Sequence, residues 1–148
     1  MFPLSTRFLI VDDMTTMLLI FKKRLKDLGF ENVETVQNGT KAMDFLKEDL
    51  AAHPDTPIEV VISDWVMPEL DGTQLLKAVR GEPAFQHLPF MLVTAEEQKA
   101  YEKSYENLDC DGYLQKPITT EKLRDFLKAT YAVVQKKQRP RSAAAKAA

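Results

Sequence analysis

The sequence predicts a doubly wound α/β domain built on a five-stranded parallel sheet, and three observations carry that expectation. Five short β-rich runs alternate with segments in which apolar residues recur at helical spacing. The strongest runs are apolar throughout, without polar alternation, as in strands covered on both faces. The 148 residues, 45% hydrophobic and 28% charged, have the size and balance of one globular domain.

Taken in order, Arg7–Val11 (RFLIV) is the first strand and stops at Asp12-Asp13. From Met14, the residues Met17, Leu18, Phe21, Leu25 and Leu28 form a helical stripe, and Gly29 is placed to end it. Val33–Val36 is a short second strand closed by Asn38-Gly39, and Ala42, Met43, Phe45, Leu46 and Leu50 mark a second helix. After a loop over His53–Pro57, Ile58–Ser63 (IEVVIS) is a buried strand ending at Asp64. A turn over Pro68–Gly72 leads to a helix carrying Leu75, Leu76 and Val79 that stops near Gly81. Phe90–Val93 is a strand ending at Thr94, Gln98–Leu108 a polar helix with a weak stripe, and Tyr113-Leu114 a short strand before Lys116-Pro117. Leu123, Phe126, Leu127, Tyr131 and Val134 form the last stripe. Right-handed crossovers between such units leave few topologies open.

The net charge of −2 conceals an asymmetry. Residues 135–148 carry five positive charges and no acid, so residues 1–134 hold 15 positive and 22 negative side chains, a net of −7. We expect the domain to occupy residues 1–134. Residues 135–148 read as a basic, low-complexity tail, a linker or an expression remnant, with the last helix running past Tyr131 if an output domain follows. The single Cys110 excludes an internal disulfide and fits a reducing compartment, and its acidic neighbours Asp109 and Asp111 disfavour a reactive thiolate. No apolar run reaches 18 residues, and Met1–Leu4 lacks the pattern of a secretory signal, so a cytoplasmic protein without membrane association is expected. No DNA-reading pattern accompanies the basic tail, and no nucleic-acid binding is expected. His53 and His87 lack metal-ligand spacing, and Trp65 reads as a wall beside Asp64.

The chemistry converges on one sheet edge. Asp12 and Asp13 follow the first strand, Asp64 the third, Thr94 the fourth and Lys116 the fifth. In open α/β sheets, ligands bind beyond the carboxyl ends of the strands. Three crowded carboxylates repel unless a cation or proton neutralises them. An all-oxygen set with few protein ligands suits Mg²⁺ better than Ca²⁺. A hydroxyl and an ammonium beside that ion suit a phosphoryl group, and one carboxylate then serves as nucleophile to form an aspartyl phosphate.

The segments FLIVDD (Phe8–Asp13), VVISDWVMPELDG (Val60–Gly72), MLVTA (Met91–Ala95) and GYLQKP (Gly112–Pro117) resemble the receiver domain of bacterial response regulators, and within it the CheY-like, single-domain chemotaxis type. The resemblance covers Arg7–Tyr131 with every motif in order. It implies a flavodoxin/CheY-like (βα)₅ fold with strand order 2-1-3-4-5. It implies a two-component signalling role in which Asp64 accepts a phosphoryl group from a histidine kinase or histidine phosphotransferase. By the same likeness, Asp13, Asp64 and the Val66 carbonyl ligate Mg²⁺ with help from Asp12, and Lys116, Thr94 and Ala95 hold the phosphate. Thr94 and Tyr113 are the implied switch, read by a downstream protein on the face of the fourth helix, fifth strand and last helix. Pro117 matches a position usually preceded by a cis peptide.

Two positions that tune chemistry in this family are Val66 and Glu96 here, and a valine side chain cannot hold an attacking water. The apolar start of the first helix, with Met14, Met17 and Leu18, is a candidate docking patch for the phosphodonor. The domain is expected to catalyse only its own phosphorylation and dephosphorylation. Two alternatives are a Mg²⁺-dependent phosphohydrolase with an aspartyl-phosphate intermediate, and a phosphorylation-independent binding module. The first usually places its nucleophile and acid two residues apart on the first strand, whereas Asp12 and Asp13 are adjacent.

Overall fold

The five strands form as expected: β1 (Phe8–Val11), β2 (Val33–Val36), β3 (Val60–Asp64), β4 (Phe90–Thr94) and β5 (Gly112–Gln115). They make one parallel sheet in the order β2-β1-β3-β4-β5. The structure is a computed structural model that describes residues 1–95 and 109–147, with residues 138–147 as backbone only. The helix expected over Gln98–Leu108 and the tuning position Glu96 lie outside the described residues.

The three inner strands β1, β3 and β4 are buried throughout, and the reason lies in the alternation of side-chain direction. Phe8, Ile10, Val60, Ile62, Met91 and Val93 point to one face, covered by α1 (Thr15–Asp27) and α4 (Thr120–Ala147). Leu9, Val11, Val61, Phe90 and Leu92 point to the other, covered by α2 (Gly39–Ala52) and α3 (Gly72–Gly81). Both faces need apolar cover, which is why the strand sequences show no polar alternation.

Helix ends follow local chemistry. α1 stops in a Schellman arrangement: Phe30 N donates to Leu25 O at 2.9 Å and Gly29 N to Lys26 O at 2.9 Å. Gly29 adopts φ +98°, a left-handed conformation that glycine takes without steric cost. Asn38 caps α2 by accepting from Lys41 N at 2.8 Å. Asp71 and Gln74 form a reciprocal capping box at the start of α3.

Two details differ from expectation. The third strand begins at Val60, two residues late, because the Ile58 N–H donates to the Asp49 carboxylate at 2.8 Å instead of joining the ladder. A single 3₁₀ turn, Pro83–Phe85, links α3 to β4. The last helix, α4, runs on to Ala147, in a stretch whose alanine and lysine favour helix. Val134 is its last buried side chain among those described.

Candidate functional site at the carboxyl edge of the sheet

β1 and β3 are neighbours, so their ends deliver Asp12, Asp13 and Asp64 to one place. One carboxylate oxygen from each lies within 4.8 Å of the others. Asp12 and Asp64 are buried, whereas Asp13 is exposed. Asp12 has two roles. Its Oδ1 accepts the Met14 N–H at 2.9 Å, which holds the turn into α1, an ordinary loop function. Its Oδ2 has no hydrogen-bond partner among the described residues.

Asp64 is positioned from behind. Gly72 N donates to Trp65 O at 2.8 Å, and a Cβ at residue 72 would fall 2.3 Å from the Asp64 carbonyl oxygen. Only glycine lets α3 start this close to the strand end. Asp64 Oδ1 accepts the Trp65 N–H at 3.0 Å and lies 3.4 Å from Lys116 Nζ. Lys116 Nζ also lies 3.7 Å from Asp12 Oδ2, bridging the two buried carboxylates. Lys116 N donates to Thr94 O at 2.8 Å, an extra rung beyond β5 that seats the lysine beside the buried Thr94. The Lys116–Pro117 peptide is cis.

One ammonium does not balance three carboxylates. Burial first, and the Asp12 charge second, push the Asp64 carboxyl up to about 6 against the opposing pull of Lys116 and the Trp65 N–H. Burial likewise raises Asp12, against the Met14 N–H and Lys116. The donor set is all oxygen, partly buried and short of positive charge, with an orphaned Asp12 Oδ2. These residues fit a hard divalent cation.

The remaining candidates fall into place unevenly. Val66 is 57% exposed, beside the site. Ala95 and Tyr113 are half-buried, and Tyr113 packs against the α2–α3 side of the core. Leu18 is 6% exposed and belongs to the core, so it offers no docking surface: the stripe that identified it is the buried stripe. Met17 packs partly against the same core. The large exposed apolar side chains of α1 and its cap are Met14, Leu19 and Ile20. Cys110 is buried; burial pushes its thiol up, and the charge of neighbouring Asp111 adds little. Gly72 was not singled out from sequence, although its place eight residues after Asp64, next to the capping residue Asp71, was a usable signal.

The profile of the response regulator receiver domain family matches residues 8–128. Chemotaxis protein CheY-3 of Vibrio cholerae serotype O1 is 35% identical over 123 residues, covering 83% of this chain and 89% of that protein. Chemotaxis protein CheY of Pseudomonas aeruginosa is 34% identical over 125 residues, covering 84% and 95%. Among solved structures, chemotaxis protein CheY4 of Vibrio cholerae superposes with a TM-score of 0.68 at 28% identity, covering 85% of this chain and 98% of that one.

Proposed function

Because this chain belongs to the response regulator receiver domain family, as the CheY-like receiver of a two-component response regulator, we propose that Asp64 accepts a phosphoryl group from a phosphohistidine donor in a reaction that depends on Mg²⁺. The observation that supports this most is Asp64 itself: a buried carboxylate at a strand end, touched by one lysine and crowded by two further acids. In the transfer, an Asp64 carboxylate oxygen bonds to phosphorus as the phosphorus–nitrogen bond breaks, and the leaving imidazole keeps the electron pair and takes a proton from solvent. Asp12, Asp13 and Asp64, with the Val66 carbonyl, would hold Mg²⁺. The bound ion would supply charge to offset the carboxylates and the phosphoryl oxygens. Lys116 is already within 4 Å of both buried carboxylates and is placed to pair with a phosphoryl oxygen. The Thr94 hydroxyl and Ala95 N–H, at the end of β4, would donate to the remaining phosphoryl oxygens. The added charge would bias Thr94 and Tyr113 toward a second arrangement, read by a downstream protein on the β5 and α4 side. A phosphodonor protein would dock over the exposed Met14, beside the site. The domain would turn over no metabolite. Among the described residues no helix is long and apolar enough to cross a membrane.

Incubation with acetyl phosphate and Mg²⁺, followed by intact-mass measurement, tests this reading. The expected result is a gain of one phosphoryl group, lost with chelator and lost in Asp64→Asn. An unlabelled wild-type chain would overturn it and favour a phosphorylation-independent binding module. Sustained turnover of a phosphate ester, abolished by Asp64→Asn, would favour the phosphohydrolase.

A further inference from the structure

β2 is an edge of the sheet and pairs with β1 on one side. Its rungs use alternate residues: Phe8 N donates to Asn32 O at 2.9 Å, and Asp12 N to Val36 O at 3.3 Å. Glu34 falls in the same phase. In a parallel ladder the residues between turn their N–H and C=O the other way, so Val33 and Thr35 present theirs to the outside. Side chains alternate along the strand as well. Val33 belongs to the α1–α4 side of the core and Val36 packs on the α2–α3 side, so Thr35 lies with Val33 and Glu34 with Val36. Glu34 and Thr35 are both exposed.

A trough separates this edge from the flank of α1. Two open hollows of about 370 and 310 Å³ make it up, and Lys22 borders both. Leu19 and Lys41 border the first, which reaches Thr35; Lys26 borders the second, which reaches Val33. Leu19, Lys22 and Lys26 follow one another at intervals of three and four, a single stripe on the helix. Leu19 is 63% exposed, an apolar side chain without cover. Lys22, Lys26 and Lys41 are exposed and make no ion pair among the described residues. Glu31 is the one acid bordering either hollow. The trough is therefore positive on an otherwise acidic domain.

We propose that the outer edge of β2 accepts an extended acidic segment of a partner protein as a sixth strand. Main-chain hydrogen bonds to Val33 and Thr35 supply the attachment, and alternate side chains supply the selectivity. Side chains of that segment on the α1 side meet Lys22 and Lys26, which calls for acids there. Those on the other side pass Glu34, which disfavours an acid. The segment thus alternates acidic with apolar residues over roughly six positions, the ~20 Å from Glu31 to Gln37. A second copy paired antiparallel on this edge would set two α1 flanks side by side, lysines against lysines, which disfavours self-pairing. The contact uses no group of the acidic site and does not depend on phosphorylation.

The probe is an eight-residue peptide alternating glutamate and valine, titrated into the full chain and followed by amide NMR. Saturable shifts are expected at Leu19, Val33 and Thr35, and the Val33 and Thr35 amides should exchange about tenfold more slowly in the complex. The same peptide with lysine for glutamate should not bind. Lys22→Glu combined with Lys26→Glu should weaken the acidic peptide about tenfold at an unchanged thermal midpoint. Lys77→Glu combined with Lys128→Glu, the same charge change at exposed positions away from the trough, should leave binding unchanged. No saturable shift up to about 1 mM peptide would overturn the proposal. So would equal binding of the lysine peptide, equal weakening by the two charge-reversed pairs, or shifts on α1 without slowed exchange at Val33 and Thr35. Self-association of the chain in sedimentation, with those two amides protected before peptide is added, would also overturn it and assign the edge to a second copy.

Discussion

The two edges of the sheet treat buried carboxylates in opposite ways. At the amino edge, Asp49 is gripped by Arg7 through both oxygens, at 2.9 and 3.1 Å, and accepts the Ile58 N–H. Asp111 there receives Arg80 and Lys137, each at 3.2 Å, and the Phe90 N–H at 2.9 Å. At the carboxyl edge, the two buried acids Asp12 and Asp64 share Lys116 at 3.7 and 3.4 Å, with the exposed Asp13 beside them. Structural carboxylates are fully partnered. The carboxylates of the site are left short of positive charge, and that shortage creates affinity for a cation and a phosphoryl group.

The contrast can be broken most forcefully at the amino edge. Arg7→Ala leaves Asp49 buried without its partner, which should cost about 3 kcal/mol in urea denaturation. A loss of a few tenths would show that the pair is ornamental.

At the carboxyl edge, removing a charge should do the reverse. The folded-state Asp64 ionises at about 6 against an ordinary 3.8. Its destabilising contribution is absent below pH 3.8, grows through pH 6 and is complete above it, at about 3 kcal/mol. In chelator at pH 7, Asp64→Asn should therefore raise stability by about 2–3 kcal/mol and flatten the wild-type pH dependence between 4 and 6. A destabilised variant would contradict the account.

The cation should offset the same cost. At ten times its dissociation constant, Mg²⁺ should stabilise the wild type by about 1.4 kcal/mol at pH 7 and have little effect below pH 5. Asp13→Asn, at an exposed position, should remove that response with no change in chelator. Smallest of all, Val66→Asn should speed aspartyl-phosphate decay a few-fold by giving an attacking water a hydrogen-bond partner, measured as the phosphoryl signal over time.

How far the sequence reads depends on the range of the determining interaction. Helix ends and the placement of Asp12, Asp13, Asp64, Thr94 and Lys116 at strand ends follow from local patterns plus one topological rule, whereas the strand order was implied by the resemblance to the receiver family. Leu18 shows a limit of another kind: six apolar side chains at the start of α1 look alike in sequence, and only the packing of Phe8 and Phe21 decides which face is inside. Asp12 escaped any single label because its two oxygens do different work. Gly72 required knowing that a helix starts against the Asp64 carbonyl.

The acid cluster lacks positive charge until a cation arrives. The direct measurement is the ionisation midpoint of the Asp64 carboxyl by carbon NMR, first in chelator and then with Mg²⁺. A midpoint near 6 in chelator that falls well below it with Mg²⁺ is the expected result. An ordinary midpoint near 3.8 in chelator, unmoved by the ion, would contradict the account.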